Sequence, residues 1–290
     1  MTWVGVLNAG ARHSGVMHSE GGDWSRYWRS PDHGLEAMHA HFERHVYHRH
    51  SHETYSFGVT ELGKQAFTCR GAARMSVAGM VMAFNPDEPH DGHASDATGF
   101  TYRIVHLSPG LVSDVLADTV DRPVGLPLFA EPVMHDPVLG EALLRLHAAL
   151  RQESRLAQDE ALADTVRAMV HRAAVHPVGV RSPRVPAGIR RVRDVLNDAY
   201  RDNVGSGELA ELAGCSRFAL HRAFVAEYGL APSDYQRQVR LRAARRLLAE
   251  GRRSVADVAT EVGFADQSHL TRWFNRCYGI SPAVFQRAGG

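Results

Sequence analysis

The feature that most constrains this chain is that part of it is written twice. "SRFALHRAFVAEYGLAPSDYQR" (216–237) aligns with "DQSHLTRWFNRCYGISPAVFQR" (266–287) at an offset of 50 residues, with eight identities in 22 positions. Leu220 falls over Leu270, Arg222 over Arg272, Phe224 over Phe274, Tyr228 and Gly229 over Tyr278 and Gly279, and Pro232 over Pro282. Just upstream, "LAELAG" (209–214) matches "VATEVG" (258–263) at an offset of 49, so the second turn is one residue longer. A recurrence of this kind is one supersecondary unit used twice. Each unit reads as helix, glycine-containing turn, helix. In the first, Leu209 to Ala213 is a short helix, Gly214 suits the turn, and Ser216 is an N-cap. The next helix puts Leu220, Ala223 and Phe224 on its inner side and Arg217, Phe218, His221 and Arg222 on its outer side. In the second unit Asp266 is the N-cap, Leu270, Trp273 and Phe274 face in, and Gln267, Ser268, Thr271 and Arg272 face out. That is a helix-turn-helix, twice. The outer residues of such a helix reach base edges in the major groove, where Arg pairs with guanine and Gln with adenine. Arg276, Arg252 and Arg253 are expected to touch phosphate or simply to be solvated. "SDYQRQVRLRAARRLLAEG" (233–251), capped by Ser233, reads as a long helix between the units, able to set them in successive major grooves about 34 Å apart.

Charge agrees with a polyanion partner for this half. From residue 180 onward there are 18 arginines, no lysine and 11 acidic residues, a balance of +7 inside a chain whose net charge is only +1. Sixteen of the 18 histidines lie before residue 180. The two halves therefore present different electrostatics to a partner.

Before the helical half, about 35–107 reads mostly as β. "YSFGVTEL" and "TYRIVHL" are rich in β-branched and aromatic residues, and "RGAA" (70–73) and "NPDEPHDG" (85–92) read as turns. Short strands with tight turns suggest a small barrel or sandwich. From Asp136 the period becomes helical: Val138, Leu139, Leu143, Leu146 and Leu150, then Leu162, Val166, Met169, Val170 and Ala173. These predict amphipathic helices over about 137–152 and 158–175, packed on the barrel or on a second copy of the chain. "HPVGVRSPRVPAG" (176–188), with three prolines and two glycines, cannot sustain a helix and reads as a linker. The expected fold class is α+β multidomain: residues 1–175 a β-barrel domain with flanking helices, 176–188 the linker, 189–290 an all-α double helix-turn-helix domain. No apolar run is long enough to span a membrane, no signal peptide is evident, and Cys69, Cys215 and Cys277 form neither a zinc spacing nor a disulfide framework. A cytoplasmic protein without a membrane partner is expected.

The stretch "LAELAGCSRFALHRAFVAEYGLAPSDYQR", then "RLLAEG", then "SVADVATEVGFADQSHLTRWFNRCYGISPAVFQR" resembles the AraC/XylS family of bacterial transcription regulators over about 100 residues. The resemblance implies that Phe218, His221 and Arg222 belong to the first recognition helix, and Gln267, Ser268, Thr271 and Arg272 to the second. More loosely, "RHSHETYSFGVTELGKQAFTCRG" and "GMVMAFNPDEPHDG" resemble the cupin-like sensor domain at the N-terminus of many members. This implies a small-molecule effector in the barrel, a homodimer, double-stranded DNA as target and RNA polymerase as partner.

The histidines of "YHRHSHETYSFG" (47–58) ask for a separate account. On an extended strand His48, His50 and His52 would share a face. His50-Ser51-His52 also has the HxH spacing of a cupin metal site, with His90 about where a third histidine would fall. The acidic ligand expected a few residues later would lie near Ser56 or Phe57, neither a carboxylate, and Glu53 and Glu61 stand at other spacings. The pattern is incomplete, so no cofactor and no enzyme activity are expected. His50, His52 and His90 are the candidate ligands should a divalent metal bind, and His50, His52, Tyr55, His90 and Arg103 are the candidate effector contacts. The competing classes are a metal-dependent cupin enzyme with a helical appendage and an architectural DNA-binding protein. Metal-dependent turnover would mark the first and a pocket that binds nothing the second.

Overall fold

The structure, a computed structural model, describes residues 16–20, 22–30, 34–119, 126–151, 155–172, 174–175 and 186–288. The N-terminal half begins with the strands β1 (Val16–Glu20), β2 (Asp23–Ser30), β3 (Leu35–Phe42), β4 (Tyr47–His50), β5 (Tyr55–Cys69), β6 (Ala72–Val77), β7 (Val81–Phe84), β8 (His90–Ala94) and β9 (Phe100–Leu107). Then come α1 (Pro109–Thr119), the short strands β10 (Leu128–Phe129) and β11 (Val133–Met134), α2 (Pro137–Ala149), α3 (Arg155–Arg172) and β12 (Ala174–Val175). The C-terminal half is α4 (Ala187–Asp198), α5 (Ser206–Ala213), α6 (Arg217–Tyr228), α7 (Pro232–Ala249), α8 (Val255–Glu261), α9 (Gln267–Tyr278) and α10 (Pro282–Arg287).

The β half is barrel-like but not closed. One path runs β1-β2-β3-β9-β5-β7-β11, and β4, β8 and β6 join through β5. The 15-residue β5 pairs β7 and β9 with its first part and β6 and β8 with its second. A register shift between Thr60 and Leu62 marks the crossover, as bulges commonly do where a strand bends between sheets. Alternation then sorts the side chains. Leu35 and Ala37, Tyr55 and Phe57, and Val105 and Leu107 turn one way and form a core with α2 and α3. Met38, Tyr102 and Ile104 turn the other way. Leu139, Leu143, Leu146, Leu162, Val166 and Met169 all belong to the first of these cores, so the apolar stripes of both helices are spent within it, α2 against the sheet and α3 against α2 and α1. The expected helices agree with α2 and α3 within a few residues, and Asp136 caps α2 by accepting from Leu139 N at 3.1 Å. Most of the expected linker lies outside the described residues; its last two positions, Ala187 and Gly188, open α4.

The helical half follows its repeat. Ile189, Val192 and Leu196 of α4 close over Leu209, Leu220 and Phe224 as the core of the first unit. Leu241, Ala244 and Leu248 of α7 pack with Val258, Leu270, Phe274, Ile280 and Phe285 around the second. The second core is continuous with the inward face of the β half, including Tyr27, Met38, Phe42, Phe67, Phe84 and Tyr102. The two halves therefore share a core through the second helix-turn-helix unit. The long helix α7 starts at Pro232 with Ala231 as its N-cap residue, two positions before the expected cap Ser233, because proline at the first helical position needs no amide partner.

Candidate functional site

The two recognition helices are built alike. Ser216 Oγ accepts from Ala219 N at 3.3 Å to start α6, and Asp266 Oδ1 accepts from His269 N at 2.6 Å to start α9. Both helices stop at a glycine with φ of 68°, Gly229 and Gly279, a conformation strained for side-chain-bearing residues. Phe224 and Phe274 anchor them from inside with no exposure. Arg217, His221 and Arg222 on α6, and Gln267, Ser268 and Arg272 on α9, stand exposed, and Thr271 is half-buried. Phe218 lies on α6, but its side chain is outside the described set. Arg276 is engaged: its guanidinium lies 5.2 Å from the ring centre of Trp273, which also carries Arg237 at 3.7 Å. Trp273, expected to face in, is accordingly only half-buried. Eighteen residues of α7 at about 1.5 Å each span about 27 Å, the scale of one DNA turn.

The second site is a cavity between the halves, partly open to solvent. Its walls are Tyr27, Glu36, Met38, Tyr47, His50, His52, Phe67, Met82, Phe84, His90, Tyr102, Ile104 and His106 from the β half. Its roof is Arg245 of α7, Cys277 and Tyr278 of α9, Ile280, and Phe285 of α10. Its volume is about 60 Å³. Since a water needs about 10–15 Å³ of such space, the cavity in this closed arrangement takes a few waters or a small ion with its ligands. Arg245 ion-pairs with Glu36 across the junction. Burial opposes both charges, yet each holds the other ionised: Arg245 draws the Glu36 carboxyl below its usual range, and Glu36, with Tyr27 and Tyr278, raises Arg245. Further contacts close the same junction. Arg242 reaches Asp87 at 2.6 Å and Ser51 at 3.0 Å, Arg49 donates to the Gly229 carbonyl at 2.9 Å, and Arg29 donates to the Ala249 carbonyl at 3.3 Å.

Histidines line the cavity floor. His50 on β4 sits opposite His90 on β8 in the strand register. His52 follows β4 in the loop, and its Nε2 lies 3.1 Å from His50 Nε2. One ligand atom from each of the three lies within 4.8 Å of the others, and all three residues are buried. His106 of β9 completes the group, ring centre 4.7 Å from that of His52, its Nδ1 2.8 Å from Ser56 Oγ. Burial pushes these imidazoles toward the neutral form, His90 and His106 to about 4.

Three expectations need correction. His48 does not share a face with His50 and His52: β4 ends at His50, and His48 is exposed beside Trp273 at 5.7 Å. Tyr55 does not line the cavity; it sits on the opposite face of β5, and its hydroxyl donates to the Pro127 carbonyl at 2.8 Å. Arg103 likewise points away, donating to Glu61 Oε1 at 2.6 Å and to His147 Nδ1 at 3.3 Å. On β9 the cavity takes the positions of Ile104 and His106, not that of Arg103, and on β5 the register shift between Thr60 and Leu62 turns Phe67 toward the cavity while Tyr55 stays on the other face. Sequence reasoning missed Tyr27, Glu36, His106, Arg245 and Tyr278. Alternation in "TYRIVHL" carries His106 once the facing parity is known. Arg245 looks like any arginine of an arginine-rich helix, and Tyr278 like a repeat-conserving aromatic.

Comparison with known proteins places both sites in context. The AraC-like ligand binding domain family matches residues 32–166, and a helix-turn-helix domain family matches residues 209–288. An uncharacterized HTH-type transcriptional regulator of Bacillus subtilis (strain 168), YbfI, is 27% identical over 225 residues, 76% of this chain and 80% of that protein. The HTH-type transcriptional activator RhaS of Escherichia coli (strain SE11) is 37% identical over 87 residues, 30% of this chain and 31% of its own. Among solved structures, ToxT from Vibrio cholerae superposes with a TM-score of 0.53 at 9% identity, covering 92% of this chain and 99% of that one. Wild-type ToxT bound to an unsaturated fatty acid superposes at 0.51 and 9%, covering 90% and 93%. At such identity the superposition speaks for a shared two-domain fold.

Proposed function

Because the chain belongs to the AraC family of helix-turn-helix transcriptional regulators, with an AraC-like ligand-binding domain ahead of its DNA reader, we propose that it is switched by a small molecule bound in the cavity between its halves. The observation that carries this reading is the cavity's construction: β-half walls and a roof of Arg245, Tyr278 and Phe285 from the second helix-turn-helix unit. At about 60 Å³ the cavity holds only a few atoms, so a larger effector would shift the roof, and α9 would move with it. Differential affinity for the open and closed arrangements is then what the effector supplies. The lining suits an amphipathic molecule: Phe67, Met82, Phe84 and Ile104 offer an apolar wall, and Arg245 with the histidines offers a polar end. The fatty acid bound to ToxT is a ligand of that type.

In this reading residues 1–175 sense, 176–188 connect, and 189–290 read double-stranded DNA through Arg217, Phe218, His221 and Arg222 on α6 and Gln267, Ser268, Thr271 and Arg272 on α9, with Arg276 near phosphate. The protein acts without catalysis, in the cytoplasm, as a homodimer that presents DNA to RNA polymerase. Family membership supports these points. Since the apolar stripes of α2 and α3 are taken up inside the core they share with the sheet, a second copy would dock on their outer faces.

The test is to select a DNA site from a random pool with the full chain, then measure its affinity at fixed salt while titrating amphipathic small molecules. A molecule that raises the melting temperature and changes operator affinity or the footprint supports the switch. If molecules that bind the cavity leave affinity, footprint and transcription unchanged, the switch is wrong. If no sequence emerges from the selection, the DNA reading itself falls.

A further inference from the structure

We propose that His50, His52 and His90 form a binding site for one divalent late first-row transition ion of the zinc type, seated at the floor of the interdomain cavity. Ring orientation carries the argument. His50 Nδ1 is 2.6 Å from the His48 carbonyl, and His90 Nδ1 is 2.9 Å from the Glu88 carbonyl. A carbonyl only accepts, so both Nδ1 atoms carry the proton and both Nε2 atoms present a lone pair. Backbone carbonyls that fix the tautomer in this way are the usual outer support of metal-bound imidazoles. His52 brings its own Nε2 to 3.1 Å from His50 Nε2, while its Nδ1 is buried and has no hydrogen-bond partner among the described residues. Metal–nitrogen bonds of about 2.0–2.1 Å in a tetrahedral site put ligand nitrogens about 3.3 Å apart, so the His50–His52 pair is already at bonding separation. The His90 ring, stacked on Phe84 at 3.9 Å, is held to complete the triangle.

The donor set selects the ion. Three imidazoles without a carboxylate suit zinc, cobalt, nickel or copper and not the hard cations calcium or magnesium. The nearby acids are occupied elsewhere: Glu36 with Arg245, Asp91 with the Thr68 amide at 2.6 Å, and Glu61 with Arg103. The fourth coordination position opens into the cavity that Tyr278 roofs, whose ring centre is 5.9 Å from that of His52. Occupancy therefore bears directly on the seating of α9.

The experiment is titration of Co²⁺ into the tag-free, chelator-treated full chain, followed by visible absorption. The expected result is one equivalent bound, with the strong d–d band of a four-coordinate ion and no thiolate charge-transfer band, displaced stoichiometrically by Zn²⁺. His50→Gln and His90→Gln should abolish the band, His48→Gln should keep it, and circular dichroism should confirm that each variant folds. Zn²⁺ should raise the melting temperature of the wild type and not of His90→Gln. The proposal is overturned if the wild type shows no such band at stoichiometric Co²⁺, if a thiolate band places the ion on a cysteine, or if folded His50→Gln and His90→Gln both retain it. None of these outcomes depends on DNA binding, so the regulatory reading can stand or fall separately.

Discussion

Arg272 stands exposed on α9 among Gln267, Ser268 and Thr271, in the second turn after the Asp266 cap, where a helix entering the major groove meets base edges. Arg272→Ala is expected to weaken specific DNA binding by about 1–3 kcal/mol while leaving non-specific affinity at the same salt nearly unchanged. Fluorescence anisotropy with the selected site and a scrambled one measures both. If the two affinities fall together, Arg272 touches phosphate only. His147 makes a different prediction. Burial first, then Arg103, His39 and Arg151, drive its pKa down to about 3. Glu61 pairs with both Arg103 and His39. The folded state thus holds His147 neutral where the unfolded chain would protonate it near pH 6.5. Its contribution to stability is complete above about pH 6.5 and is lost as the pH falls toward 3, with a slope of at most about 1.4 kcal/mol per pH unit. Urea midpoints at pH 7.5 and 5 should show this decline together with that of the other buried imidazoles, and His147→Gln should lessen its slope without removing it. An equally steep decline in the variant would move the cause to other groups.

At the scale of the element, the two helix-turn-helix units depend on matched caps. Ser216 and Asp266 each satisfy an amide in the first turn of a recognition helix that would otherwise be unpaired. Ser216→Ala and Asp266→Ala should each cost about 1 kcal/mol, read from denaturant midpoints. The consequences should differ. The second unit shares its core with the β half, so Asp266→Ala should shift the whole transition, whereas Ser216→Ala should act on the separate core of the first unit. Hydrogen exchange confined to α5 and α6 in Ser216→Ala would bear this out. Uniform loosening of both halves would show that the first unit is not separately stable. The elements themselves were largely legible in the sequence, since caps, glycines and helical periods are local signals. Open sheet edges and the shared second core were not, because they depend on which surfaces meet.

At the scale of the molecule, the junction rests on a partly buried ion pair with a ring of contacts around it. Arg245→Met leaves the partly buried Glu36 carboxylate without its partner, which should cost about 1–3 kcal/mol. Adding Glu36→Gln should recover much of that loss, because a neutral amide does not need a buried cation. A double-mutant cycle on denaturant midpoints gives the coupling, and hydrogen exchange over α9 and α10 reports whether the halves have separated. If the single and double variants are equally unstable, Glu36 is not what Arg245 serves.

The sequence by itself determined the local chemistry of this protein. The repeat at offset 50, the caps at Ser216 and Asp266 and the exposed Arg272 face follow from spacing alone, because a helix is stabilised by residues three and four positions apart. Even His50, His52 and His90 could be picked out by spacing. Only the tertiary structure decided which of them share a space. Strand alternation makes a residue's face depend on parity, and parity acquires a meaning only when a second surface covers one side. That is why Tyr55 and Arg103 turned out to face the helices, why His48 left the group, and why His106 joined it. It is also why Glu36 and Arg245, 209 residues apart, meet in a cavity no local pattern could announce: their pairing is a property of two packed surfaces and of the burial that strengthens charge between them.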